Sequence, residues 1–247
     1  MQHRYDIQIL RGAAVLLVVL YHLQTPFLDN GFLGVDIFFV ISGFLITRNI
    51  FQSLDNNNFN IYSFFGRRIR RIFPALILVF VSSLIFGFFI LFNNEYTQLN
   101  KHIASSSGFM INFVLNNESG YFDLDSIRKP MLHLWSLAVE EQFYIIWPFV
   151  LLFMWKKNFN LLWITLIVAL ISFYYNIKLS ETNPTKNFFL PLGRFWEFLI
   201  GSMLAWFFVF KKIKIFSFNK VKNNNLTISK NRSYSPYLEL ITSNLFS

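Results

Sequence analysis

This sequence specifies an all-α, polytopic membrane helix bundle with about six transmembrane helices and a cytoplasmic N-terminus. Of its 247 residues, 54% are hydrophobic, 20% aromatic and only 14% charged, a more apolar and less charged balance than soluble domains carry. The apolar residues fall in long runs rather than at the spacing of half-buried helices, so the expected solvent is a bilayer. Lysine and arginine are distributed unevenly along the chain, in the manner of a membrane protein with a defined inner side. These features run against a disordered chain and against a water-soluble enzyme. Cysteine is absent, which removes disulfides, thiolate metal sites, cysteine nucleophiles and palmitoylation. Covalent chemistry therefore has to use oxygen or nitrogen.

In chain order, the spans are expected at residues 7–23, 32–51, 74–92, 134–154, 159–177 and 195–210. A helix needs about 20 apolar residues to cross the hydrocarbon, with about 17 as the lower limit. The first and last spans therefore recruit Arg11, Gly193 and flanking aromatics at their ends. A basic start followed by an apolar run also describes a signal peptide. The first span ends Tyr21-His22-Leu23-Gln24-Thr25-Pro26 with no small-x-small cleavage pattern, and Arg11 interrupts its apolar core, so it is read as a retained helix.

With the N-terminus inside, sixteen basic residues lie on the cytoplasmic side: Arg4, Arg11, Arg48, Arg67, Arg68, Arg70, Arg71, Lys156, Lys157 and seven in the C-terminal tail. Six lie outside, namely Lys101, Arg128, Lys129, Lys178, Lys186 and Arg194, which completes the 22 in the chain. The excess has the sign of the positive-inside rule. The net charge of +9 is thus topological; lipid is the expected partner and nucleic acid is not. Residues 93–132 make a long outer loop, of the kind that often carries function. It contains Ser105-Ser106-Ser107-Gly108 and an apolar stretch, 109–115, expected to dip back or lie on the surface. Residues 1–210 form the membrane domain, and the Asn- and Lys-rich residues 211–247 are expected to be a poorly ordered cytoplasmic tail.

Ionisable groups inside spans are costly and mark function by default. Arg11 and His22 stand eleven residues apart, three turns plus about 20° and about 16 Å along the axis, so they share one helix face. Asp36 opens the second span at the outer level of His22. A carboxylate bonded to one imidazole nitrogen fixes the tautomer and leaves the other to take a proton from a hydroxyl. His22 with Asp36 is thus a candidate general-base dyad, with Asp36 as a simple helix cap the alternative. Arg67-Arg68-Ile69-Arg70-Arg71 precedes the third span on the cytoplasmic side, where guanidinium groups either contact lipid or grip the phosphates of a cytosolic donor. On the fourth span, His133 and Glu140 lie seven residues apart and so within about 20° of one face. Adjacent Glu140 and Glu141 point in different directions, so at least one needs an interior partner. Arg194 either pairs with Glu197 at i to i+3 or reaches Glu140 or Glu141 across the bundle.

Four blocks in order carry a resemblance: Arg11 with ten residues to His22; Gly31-Phe32-Leu33-Gly34-Val35-Asp36-Ile37-Phe38-Phe39 and on to Ile46; Arg68-Ile69-Arg70-Arg71-Ile72-Phe73-Pro74; and His133-Leu134-Trp135-Ser136-Leu137-Ala138-Val139-Glu140-Glu141-Gln142-Phe143-Tyr144. Together they resemble acyltransferase family 3 of integral-membrane O-acyltransferases, and Arg194-Phe195-Trp196-Glu197 through Gly201 is similar to a further segment of it. The likeness covers about residues 4–210. It implies transfer of an acyl group, most often acetyl from acetyl-CoA, to hydroxyls of extracytoplasmic glycans such as lipopolysaccharide O-antigen, exopolysaccharide or peptidoglycan. His22 matches the family's essential histidine, Arg11 its arginine partner, and Arg68 and Arg71 its Arg-x-x-Arg motif.

The expected roles follow. His22 and Asp36 are catalytic; Arg11, Arg68 and Arg71 bind acyl-CoA; and His133, Trp135, Ser136, Glu140, Glu141, Arg194 and Glu197 build the cavity. No metal is expected. The acceptor is a glycan or lipid-linked saccharide, and the location the cell inner membrane. The family's catalytic unit has several more spans, so the chain is expected to be short at its C-terminal end. A truncated inactive relative, and a carrier that moves an acylated or lipid-linked substrate without chemistry, are the alternative readings.

Overall fold

The computed structural model describes residues 5–26, 28–118, 129–157 and 159–210. Among these, all regular structure is helical: α1 (Tyr5–His22), α2 (Leu33–Asp55), α3 (Ile61–Ile90), α4 (Asn93–Ser107), α5 (Ile111–Asn117), α6 (Leu134–Lys156), α7 (Leu161–Thr182), α8 (Pro184–Phe189) and α9 (Pro191–Phe210). Six of them, α1, α2, α3, α6, α7 and α9, are long and apolar enough to cross a membrane. The chain is therefore a multi-pass membrane protein of all-α class. Of the residues discussed above, Arg4, Arg128 and the tail 211–247 lie outside the described residues.

The third span departs from expectation. Its helix begins at Ile61, ahead of the span expected from residue 74, because the Asn60 side chain accepts from the backbone N–H groups of Tyr62 (2.9 Å) and Ser63 (3.2 Å) and caps the helix there. The intervening arginines are good helix formers. Pro74 thus falls inside the helix, where it removes one backbone bond, rather than at its start. Thirty residues at 1.5 Å each make about 45 Å. That exceeds the hydrocarbon thickness of about 30 Å, so the arginine-bearing turns extend beyond it on the inner side.

The tightest crossing is α2 with α9. Gly43 lies on the backbone of Phe198, and Gly201 lies on the backbone of Val40; a Cβ at either position would overlap a carbonyl oxygen. Small residues let helices approach this closely where lipid supplies no hydrophobic drive. Hydroxyls stitch the same seam: Thr47 donates to Ser202 (2.8 Å), and the Trp147 indole of α6 donates to Thr47 (2.8 Å). On the other side of α2, Gly34 rests on the backbone of Ala14 in α1. The stack of Phe39, Phe198 and Phe143, with ring centroids 4.4 and 4.6 Å apart, joins α2, α9 and α6 at the core.

At the outer end the apolar stretch at 109–115 forms α5, with Ile111, Asn112 and Leu115 buried. It packs inward because it has polar anchors: Asn112 donates to the Phe189 carbonyl of α8 (3.1 Å), and Gln142 of α6 donates to Asn112 (2.9 Å).

Candidate functional site

The alternation of helix direction brings the C-terminal end of α1 and the N-terminal ends of α2, α6 and α9 to the same outer level. There they enclose a cavity of about 370 Å³ whose walls include His22, Asp36, His133, Trp135, Ser136 and Arg194. Below it, a second cavity of about 270 Å³ shares Val18, Val19, Val35 and Ser136 with the first and runs between α1, α2 and α6 down to Phe38 and Glu140. Above it, a more polar vestibule of about 650 Å³ shares His22 and His133 and includes Asp29 and Lys129. His22 and His133 therefore stand at the neck between an apolar passage and a polar outer chamber.

His22 is held by its own helix. Its Nδ1–H donates to the Val18 carbonyl at 2.8 Å, so in the neutral ring the lone pair is on Nε2. The imidazole of His133 meets it edge to face, 4.5 Å between centroids. His133 precedes α6, and burial, followed by the charge of His22, holds its pKa below the ordinary histidine value. Stability contributed this way is complete above about 6.5 and declines as pH falls below it, because the unfolded chain takes up the proton first.

Asp36 takes a different partner from the one expected. Its carboxylate accepts from Arg194 Nη1 at 3.0 Å, and the same nitrogen bonds Glu197 at 3.0 Å. The hydrogen-bonded His22–Asp36 dyad is thus corrected to Asp36–Arg194–Glu197 beside His22, since a half-buried carboxylate gains more from a guanidinium than from a neutral imidazole. Nor does Asp36 cap α2: no side-chain cap bond is made there. Of the two pairings open to Arg194, the one with Glu197 is formed.

Arg68 has partners that its motif spacing does not reveal. Glu140 and Glu141 are both buried, and Arg68 answers both. Its Nε and Nη2 bond Glu141 at 3.0 and 2.5 Å, and Nη2 lies 3.4 Å from Glu140. Its guanidinium also lies over the Tyr144 ring. Two buried carboxylates require a counter-charge, and Arg68 supplies it. Arg71, one turn on, is exposed. Arg11 lies with its guanidinium 4.9 Å from the ring of Phe38, a residue that lines the lower cavity; Arg11 itself is not among that cavity's lining residues. His22 and His133 line the outer cavity and Glu140 the lower one.

Several participants carry no signal in the sequence. Ser42 donates to Glu140 at 2.8 Å from a helix 98 residues away. At the outer end, Glu118 accepts from Lys101 (2.8 Å) and His102 (2.8 Å) and pairs with the buried Lys129 (3.2 Å), which lines the vestibule. Burial raises the Glu118 pKa, but the bonds from Lys101, His102 and Lys129 outweigh it and bring the carboxyl down to about 2. Residues from separate parts of the chain converge here with no common period to betray them.

A family profile described as an acyltransferase domain matches residues 4–219. An uncharacterised protein of Haemophilus influenzae is 41% identical over 187 residues, covering 69% of this chain and 73% of that one. The peptidoglycan O-acetyltransferase OatA of Listeria monocytogenes is 36% identical over 213 residues, covering 83% of this chain and 34% of OatA. The putative peptidoglycan O-acetyltransferase YrhL of Bacillus subtilis is 36% identical over 221 residues, covering 85% of this chain and 34% of YrhL. The chain thus spans about a third of the length of these two acetyltransferases. No solved structure matches it.

Proposed function

The chain belongs to acyltransferase family 3, and from that premise we propose that it moves an acetyl group from cytoplasmic acetyl-CoA to a hydroxyl of a cell-surface glycan across the inner membrane. The observation that carries this reading is the position of His22 at the neck between the apolar passage and the polar vestibule. Two relatives are named as peptidoglycan O-acetyltransferases, which makes peptidoglycan the first acceptor to try.

Each part of the site has a task in that reaction. The acceptor saccharide enters the vestibule, whose walls offer Gln24, Thr25, Asp29 and Lys129 for hydrogen bonds. The donor approaches from the inner side, with its phosphates at the exposed arginines of α3 and at Arg11, guanidinium being suited to bidentate phosphate contact. Arg68, anchored to Glu141, holds the inner wall in shape. The narrow pantetheine arm, two amides on an aliphatic stem, runs in the passage lined by Val15, Val18, Val35, Phe38 and Leu137, with Ser136 and Glu140 as the polar members of that lining. His22 Nε2 takes the acceptor proton, a step typically worth about 10² to 10⁴ in rate. Asp36 acts through Arg194, setting the charge of the cavity rather than the tautomer of His22.

The test is acetyl-ester formation on glycan by His22→Ala in membranes where the variant is inserted at the wild-type level. A loss of at least about a hundredfold is expected. Transfer at the wild-type rate would remove His22 from the chemistry. Continued passage of an acylated substrate without ester formation in the wild type would favour a carrier.

A further inference from the structure

We propose that Arg194 is a second catalytic residue, whose unbonded guanidinium edge receives the carbonyl oxygen of the acyl thioester as that oxygen becomes an oxyanion. The inference rests on the acyl-transfer reading above and adds to it the group that stabilises the transition state.

Arg194 stands in the first turn of α9 and lines the His22 cavity. Both of its carboxylate bonds use one nitrogen, Nη1, at 3.0 Å to Asp36 and 3.0 Å to Glu197. A strut tying α2 to α9 needs no more than that. The remaining edge, formed by Nε and Nη2, makes no hydrogen bond to any described residue, and Nε is fully buried. That edge is the fork with which arginine grips planar oxygens in pairs. A buried donor left unpaired is costly and calls for an explanation. The rings of Trp135 and Phe188, centred 5.8 and 5.3 Å from the guanidinium carbon, wall the group off. Donors fixed before the reaction and shielded from water, as Nε is, are the kind that stabilise developing charge. The two carboxylates fix the guanidinium plane, and the fork is left to the ligand.

The step balances as follows. His22 Nε2 takes the proton of the acceptor hydroxyl, and the hydroxyl oxygen bonds to the carbonyl carbon of the thioester. The carbonyl π pair moves onto its oxygen, held by Arg194 Nε–H and Nη2–H. The oxyanion then collapses, the carbon–sulfur bond breaks, and the leaving thiolate takes the proton from His22. The products are an acetyl ester and a free thiol, with no further reactant.

The experiment compares acetyl transfer by wild type, Arg194→Lys, Arg194→Gln and Arg194→Ala, each with its melting temperature in detergent, and repeats Arg194→Ala with added guanidinium. Lysine keeps the charge and the pairing with Asp36 but loses the fork. The expected result is a fall in kcat of about 10² to 10³ for Arg194→Lys, at unchanged KM for the donor and near-normal melting. Partial recovery of Arg194→Ala by guanidinium is also expected. A folded Arg194→Lys or Arg194→Gln within a few-fold of wild type would overturn the proposal, as would an Arg194→Ala that melts normally and does not respond to guanidinium. Failure of the underlying reading looks different: the wild type transfers no acetyl group, or His22→Ala transfers it normally.

Discussion

Arg68 and Arg71 lie one turn apart on α3 in opposite surroundings. Arg68 is the counter-charge of two buried glutamates, so Arg68→Ala leaves carboxylates unpaired. It is expected to cost about 3–5 kcal/mol of stability, read as a lowered melting temperature. Arg71 is exposed, and Arg71→Ala is expected to melt normally while raising the KM for acetyl-CoA about tenfold, the weight of one charge-assisted hydrogen bond. If both variants instead melt normally with equal rises in KM, the two arginines serve the donor alike. At the outer end, Glu118 has a pKa lowered from 4.5 to about 2. A depressed carboxyl contributes stability in full above its unfolded value and loses it as pH falls. Melting temperature should therefore drop as pH falls from 4.5 towards 2, and Glu118→Gln should melt lower at neutral pH but lack that drop. An unaltered acid profile in the variant would show that the cluster with Lys101, His102 and Lys129 contributes nothing.

Among the elements, the α2–α9 crossing depends on two glycines that let backbones touch. Gly43→Leu or Gly201→Leu must push the helices apart, at a cost of about 1–3 kcal/mol or more. Because Asp36 and Arg194 join the same two helices, acetyl transfer is expected to fall with stability, as a melting curve and a transfer assay on one preparation will show. An unchanged melting temperature would mean that the helices do not approach there. The sequence marks this seam only as small residues in apolar runs. The spans themselves are legible because hydropathy over about 20 residues reports burial in lipid whatever the neighbours are. The start of α3 is not, since Pro74 looks like a helix start and the cap at Asn60 lies in a polar stretch. Local propensity also says nothing of which partner Asp36 takes. The two groups within reach of it in the fold, His22 and Arg194, stand 14 and 158 residues away along the chain, and only tertiary approach decides.

At the scale of the whole molecule, three adjoining spaces run from Phe38 and Glu140, past His22 and His133, to the outer vestibule. Depth along the helices made part of this readable: the eleven-residue step from Arg11 to His22 fixes both on one face at opposite levels. Which helices close around that face is set by the order of packing, and no spacing within one helix contains it. Ser136 lines both lower spaces, so Ser136→Phe should block the passage, abolishing transfer from acetyl-CoA while the protein still inserts and melts normally. The most direct measurement of the central claim uses the chain in sealed proteoliposomes, oriented with the N-terminus inside. Labelled acetyl-CoA is enclosed and soluble peptidoglycan fragments are supplied only outside. The expected result is labelled acetyl ester on the outer fragments with wild type and none with His22→Ala. Equal labelling by both proteins, or labelling only when donor and acceptor share one side, would contradict a passage that delivers the acetyl group to His22.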